Sequence, residues 1–181
     1  TGGSSGGSAS AVATGECAIA MGSDSGGSIR MPAGLCGIVG LKTTFGRLSR
    51  HGLMELSPTM DHHGPMTRTV EDCALVLNAI VGYDPKDPRS SKAPVPDYTG
   101  VLTGNVKGLR IGVIKEFFQV PLDPEVRQAV ERAVGVLDDL GAVVTEVSWP
   151  MYHYAGAIFS AVVLADVAGS LRQLVLEHGS D

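Results

Sequence analysis

The sequence predicts an α/β fold, and three observations carry the prediction. Apolar segments of strand length alternate with segments of helical period along the chain. The 181 residues are 44% hydrophobic, enough for one sizeable core. Glycines, serines and prolines gather between the periodic segments, where the chain has to turn.

Each element follows in order. Residues 8–14 are small and read as a short helix suited to close packing, and the apolar run 17–21 reads as a strand leading into Gly22-Ser-Asp-Ser-Gly-Gly-Ser28. Residues 29–36 read as a helix whose start supports that loop, and 38–41 as a second buried strand. Thr69-Val-Glu-Asp72 has capping-box form, with Asp in place of the usual Glu, and opens a helix to Val81. Pro85, Pro88, Pro94 and Pro96 then mark an exposed connection, 83–108. It joins a glycine- and serine-rich catalytic core, 1–82, to a continuing α/β part, 109–181, of the same domain. There, 109–114 reads as a strand. Asp123-Pro124 caps a helix whose Val126, Ala129, Val130, Ala133, Leu137 and Leu140 share one packing face before Gly141 ends it. A strand at 143–147 and a long helix at 155–177, apolar all round and so expected to be largely buried, complete the order.

Composition narrows the function. A net charge of −5 without a basic run speaks against direct nucleic-acid binding. Cys17, Cys36 and Cys73 stand singly, without metal-ligand spacing, as reduced packing residues of a cytoplasmic protein do. The least polar stretch, 155–165, is too short to span a bilayer, so no membrane role is expected. His62 and His63 are adjacent, so on an extended strand they face opposite ways and do not share one metal ion. No metal site and no cofactor are expected.

Two glycine–serine clusters carry the chemistry: Gly2-Gly-Ser-Ser-Gly-Gly-Ser8 and Gly22-Ser-Asp-Ser-Gly-Gly-Ser28. Glycine-lined backbone can turn several N–H groups toward one point, which then binds an oxyanion. Serines beside it supply a nucleophile and a proton relay, the needs of acyl transfer. Rival readings explain less. A flexible Gly/Ser linker does not account for the small-residue segment that follows Ser8, and a nucleophile elbow at Gly2–Gly6 lacks a preceding strand and leaves the second cluster idle. A phosphate loop would need Gly-Lys-Ser/Thr, absent after both clusters.

The clusters, together with Ile29-Arg-Met-Pro32, Cys36-Gly-Ile-Val-Gly-Leu-Lys42, Gly46-Arg-Leu-Ser-Arg50 and Gly64-Pro-Met-Thr-Arg-Thr-Val-Glu-Asp72, resemble the amidase signature family in the family's own order. The resemblance implies that family's fold, a mixed β-sheet core covered by helices. It makes Ser28 the nucleophile and Ser4, next to a cis peptide bond, its relay. The oxyanion hole would be the N–H groups of Ser25, Gly26, Gly27 and Ser28. Ser5 would steady Ser4 by a hydrogen bond, and Asp24 and Arg30 would fix the loop. The family's third catalytic residue is a Lys upstream of the first cluster. Lys42, Lys86, Lys92, Lys107 and Lys115 all follow both serines, so the chain is expected to be part of a longer enzyme and inactive alone, with Lys42 structural.

Two family functions compete. One is an amidase hydrolysing a small-molecule carboxamide through an acyl-enzyme on Ser28. The other is the A subunit of an aminoacyl-tRNA amidotransferase, releasing ammonia from glutamine for partner subunits. The amidase is favoured here because Ser57-Pro-Thr-Met-Asp-His-His63 departs from the amidotransferase pattern Ser-Leu-Asp-Gln. A noncatalytic binding role is a third reading. The assembly expected is a homodimer, or a complex with partner subunits under the second reading.

Overall fold

The computed structural model describes residues 1–179. Contacts divide the chain into two units, Thr1–Leu102 with Phe159 onward, and Thr103–Ile158.

The first unit is built on a three-stranded antiparallel sheet. Its strands are β1 (Ile19–Asp24), β2 (Val39–Gly40) and β3 (His62–Thr67), in the order β1-β3-β2. β1 begins two residues later than the apolar run suggests and continues through Gly22 to Asp24, into the candidate site itself. The sequence pattern does not reveal the central strand β3. It carries Gly64-Pro65, which reads as a turn, and proline removes a ladder donor. The Pro65 carbonyl still accepts from the Leu41 N–H at 3.1 Å, so the ladder toward β2 survives.

Helices α1 (Gly6–Thr14) and α2 (Arg30–Cys36) pack with this sheet around Ala9, Ile29, Ala33 and Met66, all buried. Small residues on both helices permit the close approach. Helix α3 (Val70–Ile80) starts as its capping pattern predicts, with Thr69 Oγ1 accepting from the Asp72 N–H at 3.0 Å. The proline-rich segment has neither helix nor strand up to β4. Much of it is nonetheless ordered against the first unit rather than being a plain exposed connection. Asp87 is buried and accepts from the Arg50 N–H at 2.9 Å, and Arg47 donates to the carbonyls of Ala93 and Pro94.

In the second unit β4 (Arg110–Ile114) and β5 (Val143–Val147) pair in parallel, connected through α4 (Pro124–Asp139). Asp123 caps α4 by accepting from the Glu125 N–H at 2.8 Å. The apolar stripe of α4 is only partly covered within the described residues: Val126, Val130 and Leu140 are exposed, while Leu137 is half-buried. Helix α5 (Ala155–His178) corrects the expectation that it is largely buried. Ile158, Leu164, Leu171, Val175 and Leu176 along it are exposed, not buried. By length and composition alone, the helical stretch Pro150–Leu176 is also long and apolar enough to cross a membrane, whereas 155–165 by itself is too short. Asp166, on α5, accepts hydrogen bonds from the hydroxyls of Ser57 and Thr59.

Candidate active site

β1 ends at Asp24, and the loop that follows is wrapped around this one carboxylate. Asp24 is fully buried, and it accepts from the N–H groups of Gly27 (2.6 Å) and Ile29 (3.2 Å). The Arg30 guanidinium adds a two-pronged contact, Nε at 2.9 Å and Nη2 at 3.0 Å, and Lys42 Nζ lies 3.4 Å away. Burial alone would push the Asp24 carboxyl up. The Arg30 fork and the Gly27 and Ile29 N–H groups outweigh it and hold the carboxyl far below the usual carboxylate range. A carboxylate anchored in this way fixes the loop from the end of β1 to the start of α2.

The first cluster is brought against the second by hydrogen bonds and by a missing side chain. The Ser5 N–H donates to the Ser28 carbonyl at 3.1 Å. Ser5 Oγ accepts from the Ser23 N–H at 3.2 Å and faces the Ser23 carbonyl at 3.4 Å, so its hydroxyl serves Ser23 and not, as expected, Ser4. Glycine at position 22 makes this approach feasible, since a Cβ there would meet Ser5 Oγ at 2.8 Å and Ile29 Cγ1 at 2.9 Å. Ser8 Oγ donates to the Met21 carbonyl at 3.0 Å, tying α1 to the same strand. The Gly3–Ser4 peptide bond, just before the relay candidate, is cis.

The four expected oxyanion donors are not equivalent. The Gly27 N–H is directed to Asp24, whereas those of Gly26 and Ser28 donate to no protein acceptor among the described residues. Ser25 is held at two other atoms. Lys42 Nζ donates to its carbonyl at 3.0 Å, and its hydroxyl donates to Asp61. Phe159 of α5 lies over the loop, where a Cβ on Gly26 would run into its ring.

The histidines are on neighbouring positions of β3, opposite Asp24 and Ser23 respectively. His62 donates from Nδ1 to the Met60 carbonyl at 2.7 Å, and burial lowers its pKa. Burial lowers that of His63 too, and its Nε2 is buried without a protein partner among the described residues. A cavity of about 620 Å³ lies beside the first cluster, walled by Ser5, Ser23, Leu48, Met54 and His63, but its lining includes neither Ser4 nor Ser28. Among the described residues no three His, Cys, Asp or Glu side chains converge as metal ligands would.

Sequence reasoning does not single out Phe159 or Asp166, which lie more than a hundred residues beyond the loops they touch. Asp61 enters it only as part of a motif. Its adjacency to the glycine loop comes from the β1–β3 pairing, for which the Gly-Pro pair hides the signal.

A strand-anchored glycine loop with free N–H groups beside two serines has the parts that serine-dependent acyl transfer needs. The sequence profile of the family described as Amidase matches residues 1–178, and the chain belongs to that family. It is 51% identical over 172 residues to the A subunit of glutamyl-tRNA(Gln) amidotransferase from Caldanaerobacter subterraneus subsp. tengcongensis, covering 95% of this chain and 35% of that protein. Among solved structures, the A subunit of glutamyl-tRNA(Gln) amidotransferase from Thermotoga maritima superimposes with a TM-score of 0.90 at 38% identity, over 94% of this chain and 38% of that one. Native peptide amidase from Stenotrophomonas maltophilia gives a TM-score of 0.84 at 35% identity, over 97% of this chain and 37% of that one. The chain thus spans about a third of the length of these relatives.

Proposed function

We propose that the protein containing this chain is the A subunit of a tRNA-dependent amidotransferase, in which Ser28 hydrolyses the side-chain amide of glutamine. The observation that carries this reading is the 51% identity, across 95% of the chain, to the A subunit of a glutamyl-tRNA(Gln) amidotransferase. It reverses the preference for a stand-alone amidase drawn from residues 57–63.

In this reading Ser28 Oγ attacks the amide carbon while Ser4 takes the hydroxyl proton toward a Lys in a part of the protein outside this chain. The developing oxyanion is met by the N–H groups of Ser25, Gly26 and Ser28, while Gly27 keeps its bond to Asp24. The C–N bond breaks as the relayed proton reaches nitrogen, ammonia leaves, and water releases glutamate from Ser28. The exposed faces of α4 and α5 would be covered by the rest of the protein and by partner subunits, and the three free thiols suit a cytoplasmic setting.

The test is glutamate and ammonia release from glutamine by the full-length protein with its partner subunits, against a Ser28→Ala control. Ser28-dependent release is expected. A second reading, a stand-alone amidase, is favoured by the departure at residues 57–63 and by the likeness to peptide amidase. Turnover of simple carboxamides with none of glutamine would establish that one, and no Ser28-dependent turnover of either would leave a binding role.

A further inference from the structure

We propose that Lys42 and Asp61 are positioning residues that together aim the Gly26 N–H at the oxyanion; the proposal rests on the acyl-transfer reading of Ser28. The two side chains grip Ser25 from different atoms. Lys42 Nζ donates to the Ser25 carbonyl at 3.0 Å, and Ser25 Oγ donates to Asp61 Oδ1. The Ser25 carbonyl and the Gly26 N–H belong to one peptide group. That group is planar and trans, so they point in opposite directions. Fixing the carbonyl on Lys42 therefore fixes where the Gly26 N–H points. The cation does a second thing: an ammonium on the oxygen polarises the peptide and makes its N–H a stronger donor.

Both grips are themselves held. Lys42 is paired with the buried Asp24 at 3.4 Å. Asp61 is 4% exposed, and its other oxygen accepts from the N–H groups of Leu56 (2.6 Å) and Ser57 (3.0 Å). Arg50, also buried, donates to the Asp61 carbonyl at 3.4 Å. Glycine at 26 has no side chain to set its own orientation, and on the Ser25 side these two contacts restrain the donor peptide.

The proposal is tested in the full-length enzyme with Lys42→Met, Lys42→Arg, Asp61→Asn and Ser25→Ala, beside Ser28→Ala. Removing one oxyanion donor outright costs about 10²–10³-fold in kcat, so a misaimed one is expected to cost about 10–10²-fold, with KM nearly unchanged. Affinity for a tetrahedral boronate inhibitor should fall in parallel with kcat, which a loss of general stability would not produce. Lys42→Arg, which keeps a charged donor, should recover most of the rate. Lys42→Met with Ser25→Ala should cost less than the product of the single losses, because both act on one peptide. Folded Lys42→Met and Ser25→Ala enzymes with wild-type kcat and boronate affinity would overturn the proposal. If Lys42→Met or Asp61→Asn does not fold, Ser25→Ala, which deletes one hydroxyl, decides alone. Wild-type turnover by Ser28→Ala would instead remove the acyl-enzyme reading beneath it.

Discussion

Replacing Asp24 by Asn tests how the loop from β1 to α2 is held. The carboxylate has no exposure and accepts five hydrogen bonds, from the N–H groups of Gly27, Ile29 and Arg30 and from the two-pronged Arg30 guanidinium. An amide of the same shape loses the charge and turns an NH₂ toward groups that are all donors. Breaking a buried charged pair costs about 3–5 kcal/mol. The Arg30 side chain is 53% exposed, so it regains water when released, and the expected loss drops to about 2–4 kcal/mol. At a denaturant slope of about 2–3 kcal/mol/M, the urea midpoint of the full-length protein should fall by about 1 M. The pH dependence has a definite sign. The folded-state pKa lies below the ordinary value of 3.8, so the contribution is complete above that value and is lost as pH falls through the folded one. The difference between wild type and Asp24→Asn should thus be constant from about pH 8 to about pH 5 and shrink only in stronger acid. Equal midpoints near neutral pH, or a difference already gone at about pH 5, would refute the anchoring role.

Other expectations can be checked on the same protein. Gly64→Ala drives a Cβ into the Leu41 carbonyl oxygen in the middle of the sheet, so insoluble protein or a loss above about 3 kcal/mol is expected by chemical denaturation. Gly26→Ala meets only the outer edge of the half-buried Phe159 ring, which can swing aside, so it should stay folded by circular dichroism. A fluorophosphonate probe should label Ser28 by mass spectrometry; Ser28→Ala should abolish turnover, while Ser4→Ala leaves a trace because water can partly replace a relay. Under the proposed mechanism, activity should rise toward alkaline pH as the amine that receives the relayed proton becomes neutral. His62→Asn and His63→Asn should retain turnover, and loss of all activity in a folded variant would point to a Ser–His mechanism instead.

What is legible in the sequence is local. The capped starts of α3 and α4 follow from Thr69 and Asp123, whose side chains accept from nearby N–H groups as their spacing requires. β4 and β5 are readable because each is a short segment rich in β-branched residues, Arg110-Ile-Gly-Val-Ile114 and Val143-Val-Thr-Glu-Val147, bounded by loop residues. β3 is not, because an isolated Gly-Pro pair favours a turn, and only pairing on both sides makes it a strand. Burial of α4 and α5 is misjudged for a related reason. Helical periodicity reports that a face is apolar and says nothing about which element covers it.

The site divides along the same line. Gly22 to Arg30 is a contiguous stretch, and Asp24 reaches its Gly27 and Arg30 partners within six residues. Chemistry of that range can be argued from spacing. Lys42 and Asp61 reach Ser25 across 17 and 36 residues, and that distance is closed only by the packing of α2 and the register of β1 on β3. Sequence therefore names the candidate reacting atoms and supplies a motif position for Lys42 without its purpose. The fold suggests that purpose: in antiparallel register with β1, β3 sets His62 opposite Asp24, so the residue just before His62 arrives beside the one just after Asp24. A single-residue slip in that register would take Asp61 away from Ser25, so under the proposed reading strand pairing, as much as any side chain, sets where the oxyanion donors point.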